Sequence, residues 1–100
     1  AVETVEVDDD VGRYCVDLAV ATRAHPQVQL GASPRGTLAL LLCARAHAVV
    51  AGRDYVTPED VQAVAHDVLR HRLILTFEAD AQGITTDQVI DQLLATVPVP

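Results

Sequence analysis

Gly31-Ala32-Ser33-Pro34-Arg35-Gly36 closes one polar connection and opens the most apolar segment of the chain. Ser33 is placed to cap a helix through its hydroxyl, and Pro34 supplies a preset φ at the first helical position, where its missing N–H costs nothing. Arg35 then falls in the first turn. A cation is out of place there, because that turn carries the positive end of the helix dipole and unpaired N–H groups, and it normally recruits Asp or Glu. An anion is therefore expected beside it. On the residues alone two accounts stay open: a neighbouring carboxylate would make the arrangement structural, and a phosphate would make guanidinium and helix end one receptor.

Downstream, Leu38, Leu41, Leu42, Ala46 and Val49, widened by Leu40, Cys43 and Val50, predict a central helix over 34–51, buried on most sides. Gly52 ends it. A third helix, 58–72, has a full entry: Thr57 as cap, Pro58 first, Asp60 closing a capping box, and Val56 with Val61 as staple. The pattern repeats for a last helix, 86–96, with Thr85, Gln88, Ile84 and Val89, before Pro98 halts the chain. Upstream, Val11, Tyr14, Cys15, Leu18 and Ala21 or Thr22 mark a helix over 9–24, led by Asp8-Asp9-Asp10 and stopped by His25-Pro26. Val28 to Leu30 reads as a short extended piece, and Leu73 to Phe77 as either helix tail or a strand pairing with it. Glu78 to Gly83 reads as a polar turn, and residues 1–7 as linker or tail. The fold expected for 8–100 is an all-α four-helix bundle with a minimal pairing of Val28-Leu30 with Leu73-Leu75.

The second helix has Gly36 where the box acid would sit and Thr37 in place of the staple residue. Its start is locally the least optimised of the three. Departures from local stability rules gather at functional sites, and a glycine beside the cation lets a ligand or another chain approach closely.

Composition removes several chemistries. The chain has 100 residues and a formal charge of −7, which disfavours a phosphate-backbone partner, so no nucleic acid is expected. It contains no lysine, so a G-x-x-x-x-G-K-[ST] loop, a Schiff base and a lysine base are excluded from it. Its one serine, Ser33, sits before a proline in a capping position, unsuited to a nucleophile. No apolar run reaches the roughly 18 residues that span a bilayer, so no membrane partner and a cytoplasmic location are expected. The absent initiator Met and abrupt acidic start are expected of a piece of a longer polypeptide, or of a terminus produced by processing.

Cys15 and Cys43 lack the close spacing of zinc or redox motifs and read as buried thiols. Asp8-Asp9-Asp10 lacks the loop spacing of a calcium site, and His66 and His71, five apart, do not share a helix face. No metal site is expected. Arg70, His71 and Arg72 suit the C-terminal end of the third helix, where carbonyls are unpaired; a subunit contact is the other reading of the two arginines. Arg45, midway along the apolar helix, is expected to pair with Asp17 or Asp67.

With these residues in place the chain resembles the C-terminal lid of a MoxR-family AAA+ ATPase. The resemblance rests on Tyr14-Cys15-Val16-Asp17-Leu18 with Ala21-Thr22-Arg23, on Leu30-Gly31-Ala32-Ser33-Pro34-Arg35, on Gly52 to Val61, and on Val68-Leu69-Arg70-His71-Arg72-Leu73. It implies that Arg35 is the sensor 2 residue, reaching the phosphates of ATP held by a P-loop core, with Ser33, Pro34 and Gly36 close to the nucleotide. It implies ATP and Mg²⁺ in the parent protein, the Mg²⁺ not bound by this piece, and no hydrolysis by the piece alone. The implied partners are the protein's own P-loop core, neighbouring protomers of a hexameric ring, and clients such as von Willebrand factor A domain proteins, remodelled in chaperone fashion. A stand-alone helical interaction module of histone-fold type is the alternative. A G-x-x-x-x-G-K-[ST] segment roughly 200 residues upstream would favour the lid.

Overall fold

The computed structural model describes residues 5–100. Ala1 to Thr4, the first part of the expected tail, lie outside the described residues. Helix α1 spans Asp9–Ala24, strand β1 Val28–Leu30, α2 Pro34–Val50, α3 Pro58–Leu69, β2 Ile74–Leu75, α4 Phe77–Ala81 and α5 Thr86–Thr96. The four expected helices and the antiparallel pairing of β1 with β2 are present, with Val28 opposite Leu75 and Leu30 opposite Ile74.

Both capping boxes form as the spacing requires. Thr57 Oγ1 accepts from the Asp60 N–H while Asp60 accepts from the Thr57 N–H, and Thr85 and Gln88 exchange the same two bonds. Each box satisfies two of the N–H groups a helix start leaves orphaned. Val56 and Val61 are both buried in the main core, and Ile84 packs on the small cluster that holds Val89. At the far end of α2, Gly52 has φ +80, and the Arg53 N–H reaches back to the Ala48 carbonyl at 2.9 Å. Glycine takes that left-handed turn without a Cβ penalty.

Four features differ from expectation. The segment after β2 is helical over Phe77–Ala81, because Thr76 accepts from the Ala79 N–H and starts a short α4 where a turn was expected. Helix α3 stops at Leu69, and Arg70 to Arg72 form a turn. Residues 5–7 are held and not loose: Val5 is buried, and Glu6 bridges Tyr55, its N–H on the Asp54 carbonyl and its carbonyl taking the Val56 N–H. The largest difference concerns α2. Its buried face is Gly36, Leu40, Ala44 and Ala48, whereas Leu38, Leu42, Val49 and Val50 are 39–87% exposed.

The reason is steric. Helix α2 packs most extensively on α3, and the line of small residues lets the two backbones approach closely. Leucines in place of Gly36, Ala44 and Ala48 would hold the helices apart. The larger apolar side chains therefore face outward, and the core is completed by Tyr14, Cys15 and Leu18 of α1, Val61, Ala65 and Leu69 of α3, and Ile90 of α5.

Candidate functional site

The start of α2 is fixed from behind. Gly31 lies against the backbone of Arg23 near the end of α1; a Cβ on Gly31 would stand 2.7 Å from both Arg23 Cα and Arg23 N. Only glycine fits that approach. Next to it Ala32 is fully buried, and its N–H donates to the Thr22 hydroxyl at 2.9 Å; that hydroxyl donates in turn to the Ala19 carbonyl at 2.6 Å. A fully buried Thr22 thus bolts the connection to α1 just ahead of Arg35.

Beyond this anchor the helix end is open. Ser33 occupies the N-cap position with extended backbone, yet its hydroxyl makes no capping bond, contrary to the expectation above, and the first turn holds no acid. The Ser33 carbonyl takes the Gly36 N–H at 2.8 Å, so the turn is formed by backbone alone. The other helix starts carry an acidic residue, a side-chain cap, or both. Arg35 is exposed, and among the described residues it takes part in none of the ion pairs or side-chain hydrogen bonds. Among the described residues no carboxylate supplies the partner that would have made its position purely structural.

Gly36 is buried, and a Cβ there would stand 2.9 Å from the Ala32 Cβ and 3.6 Å from Arg72 Cδ. The absence of a better helix former at this position follows from that crowding. The structure accordingly brings Ser33, Pro34, Arg35 and Gly36 together with Arg72. Arg70 points elsewhere, its Nε on Asp87 at 2.9 Å and its Nη1 on Asp67 at 3.5 Å.

At the opposite end of α2 a buried carboxylate locks the bundle. Asp60 accepts both Arg53 guanidinium nitrogens at 2.6 Å, the Thr57 N–H at 2.8 Å and a 2.7 Å contact from His47 Nδ1. The guanidinium and the backbone bond hold its carboxyl far below the usual carboxylate range, against the opposing effect of burial. This joins the last turns of α2 to the first turn of α3. Sequence reading found Asp60 as a box residue and missed its second role, which the closeness of Arg53 in the chain could have signalled.

Other expected features fall differently. Cys15 is buried, and burial pushes its thiol up to about 11, while Cys43 is exposed, because α2 turns that face outward. Arg45 forms no pair with Asp17 or Asp67, and its Nε is enclosed without a partner. His66 bonds Asp91 and His25 bonds Gln92, at 2.7 and 2.9 Å. Among the described residues no group of three metal-ligating side chains comes together, and no helix is long and apolar enough to cross a membrane.

This arrangement of four long helices and a two-stranded ribbon has close counterparts. The AAA lid domain family matches residues 20–93, and the chain belongs to that family. It is 46% identical to the chaperone MoxR1 of Mycobacterium tuberculosis over 87% of its length, and 43% identical to the protein MoxR of Methylorubrum extorquens over 73%. It is also 42% identical to the uncharacterized protein YeaC of Bacillus subtilis over 99%. The crystal structure of a candidate ATPase from Cytophaga hutchinsonii superposes with a TM-score of 0.92 at 36% identity, over 99% of this chain. The chain is therefore the lid of a MoxR-family AAA+ ATPase. It spans 31%, 26% and 22% of the YeaC, MoxR1 and MoxR relatives and 33% of the solved structure.

Proposed function

We propose that residues 8–100 act as the nucleotide-sensing lid of a MoxR-type ATPase, with Arg35 as the sensor 2 arginine. The observation that carries this reading is the state of the α2 start: an exposed guanidinium, unpaired among the described residues, on a helix end with neither acid nor side-chain cap. Such a start fits a phosphate, since free N–H groups and a guanidinium both favour negative charge. ATP supplies that phosphate, and Mg²⁺ is left to the P-loop core.

A second feature supports the core as partner. From Arg35 the positions Leu38, Leu42 and Val49 continue along one side of α2, and each is exposed. An apolar stripe in line with the cation suits a helix laid against another body. The P-loop core of the same polypeptide is the body we assign to it.

In this account Arg35 stabilises charge that develops on the phosphates, an effect of about 2–4 kcal/mol for one preorganised donor. The Thr22 bolt behind it and the Asp60 lock at the far end of α2 make the lid one rigid piece. Loss of the γ-phosphate removes the contact, and the whole lid rotates away from the core. In a hexameric ring that rotation passes to the next protomer and drives remodelling of protein clients, of which von Willebrand factor A domain proteins are the class proposed. The setting is cytoplasmic. In the intact ATPase, Arg35→Ala should leave circular dichroism and melting nearly unchanged and cut turnover by at least about tenfold. Unaltered turnover would remove Arg35 from the mechanism.

A further inference from the structure

The ribbon of β1 and β2 sends its two cross-strand pairs to opposite faces. Val28 and Leu75 turn inward, onto the small cluster with Val89 and Leu93. Leu30 and Ile74 turn outward and are 59% and 54% exposed. Phe77, the one phenylalanine of the chain, lines the same hollow as Ile74 and is 81% exposed. Its own helix cannot cover it, because α4 has five residues, of which only Ala79 is buried.

That hollow, of about 600 Å³, is walled by Ile74, Leu75, Phe77 and Ile84, and Asp80 is the one charged residue of its lining. Glu78 follows Phe77, and both acids are exposed and join no ion pair among the described residues. The acids of α5 differ, since Arg70 takes Asp87 and His66 takes Asp91. From Leu73 to Pro100 the sequence has no arginine, lysine or histidine. The nearest preceding cation, Arg72, lays its stem by α2, with Cδ 3.6 Å from where a Cβ on Gly36 would stand.

These features select an occupant. An apolar hollow beside unpaired carboxylates fits an apolar side chain flanked by cations. A second copy of the same face would set acid against acid. A permanent contact with a folded body needs roughly 800 Å² from each partner, whereas Leu30, Ile74 and Phe77 together expose on the order of 300 Å². That area suits one short segment seated by a few anchors. We infer that the outer face of the ribbon, with the hollow beside Phe77, docks a basic, apolar segment of a protein client. The inference takes the client from the proposed function and is independent of what Arg35 meets.

The test is heteronuclear NMR of the 100-residue chain, titrated with a synthetic peptide of two leucines flanked by arginines. Amide shifts should centre on Leu30, Ile74 and Phe77. Phe77→Ser, a change at an exposed position, should weaken binding by at least about tenfold, and Asp80→Asn by about threefold at low salt. Peptides with Glu for each Arg, or Ser for each Leu, should not move these amides. Shifts centred on Asp8-Asp9-Asp10, or equal shifts from the leucine-free peptide, would mean charge attraction alone and overturn the inference. So would movement of the same amides with protein concentration and no peptide, which assigns the face to a second copy. In the full-length ATPase, Phe77→Ser should leave sedimentation and basal turnover unchanged; altered assembly would give the face to a neighbouring subunit, and altered turnover alone to the core, each overturning the inference. Failure of the peptide to bind leaves the nucleotide reading untouched. If the peptide binds here while Arg35→Ala leaves turnover unaltered, the nucleotide reading fails and the docking face stands.

Discussion

The N–H of Ala32 donates to the hydroxyl of Thr22 at 2.9 Å, with both residues fully buried, and this single bond ties the start of α2 to the last turn of α1. It sets where Arg35 stands. Thr22→Val keeps the shape and removes the acceptor, leaving a buried N–H unsatisfied at a cost of about 1–3 kcal/mol. Urea denaturation of the chain measures it. A loss below about 0.5 kcal/mol would show that the bolt holds nothing, since surface changes reach that size.

Two glycines should respond in opposite directions. Gly31→Ala drives a Cβ to 2.7 Å from the Arg23 backbone and should destabilise by about 1–3 kcal/mol. Gly12, inside α1, has nothing within 4 Å of a Cβ, so Gly12→Ala should stabilise by about 0.5–1 kcal/mol through the unfolded chain. Thermal melts of the two variants should move apart. Equal shifts would contradict the close approach at Gly31.

Asp60 links folding to acid. Its carboxyl titrates lower in the folded than in the unfolded protein, so the unfolded state binds the extra proton as pH falls. The stability it adds is complete above the unfolded pKa of about 4 and drains away below it. Asp60→Asn should cost about 2–4 kcal/mol at neutral pH, because the amide keeps one acceptor oxygen and no charge, so Arg53, His47 and the Thr57 N–H can no longer all be satisfied. Its urea midpoint should also fall less steeply between pH 4 and 2 than the parent's. A variant with the parent's acid slope would mean that another carboxylate governs that limb.

The outward face of α2 can be told from the inward one by substitution. Leu42, 46% exposed, should accept Gln within about 0.5 kcal/mol in the 100-residue chain, whereas Leu40→Ala should cost about 2–5 kcal/mol. In the intact ATPase Leu42→Gln should lower turnover by weakening the lid against its core. Comparable destabilisation of the chain by both substitutions would refute the orientation of α2.

Helix entries were legible because Thr57-Pro58-Glu59-Asp60 and Thr85 to Gln88 are local codes, readable without knowing what packs where. The orientation of α2 was not. Apolar residues occupy both its sides, so periodicity could not choose, and the choice is made by Gly36, Ala44 and Ala48, whose smallness matters only once α3 is beside them. The exposure of Cys43 and the failure of the Arg45 pairing follow from the same turn of the helix. The bolt made by Thr22 was invisible for a related reason: it acts on Ala32, a segment distant in the chain. The anomaly of Arg35's position, though not what answers it, was legible in advance because a cation in an unboxed first turn conflicts with helix electrostatics whatever the tertiary context.

The claim at the centre of this account is that Arg35 meets the terminal phosphate. A crystal structure of the full-length protein with a non-hydrolysable ATP analogue tests it most directly. The predicted result is a guanidinium nitrogen of Arg35 about 3 Å from a γ-phosphate oxygen, with α2 still bolted through Thr22. A guanidinium paired with a carboxylate of the core or of a neighbouring subunit, with the γ-phosphate held by other groups, would contradict it.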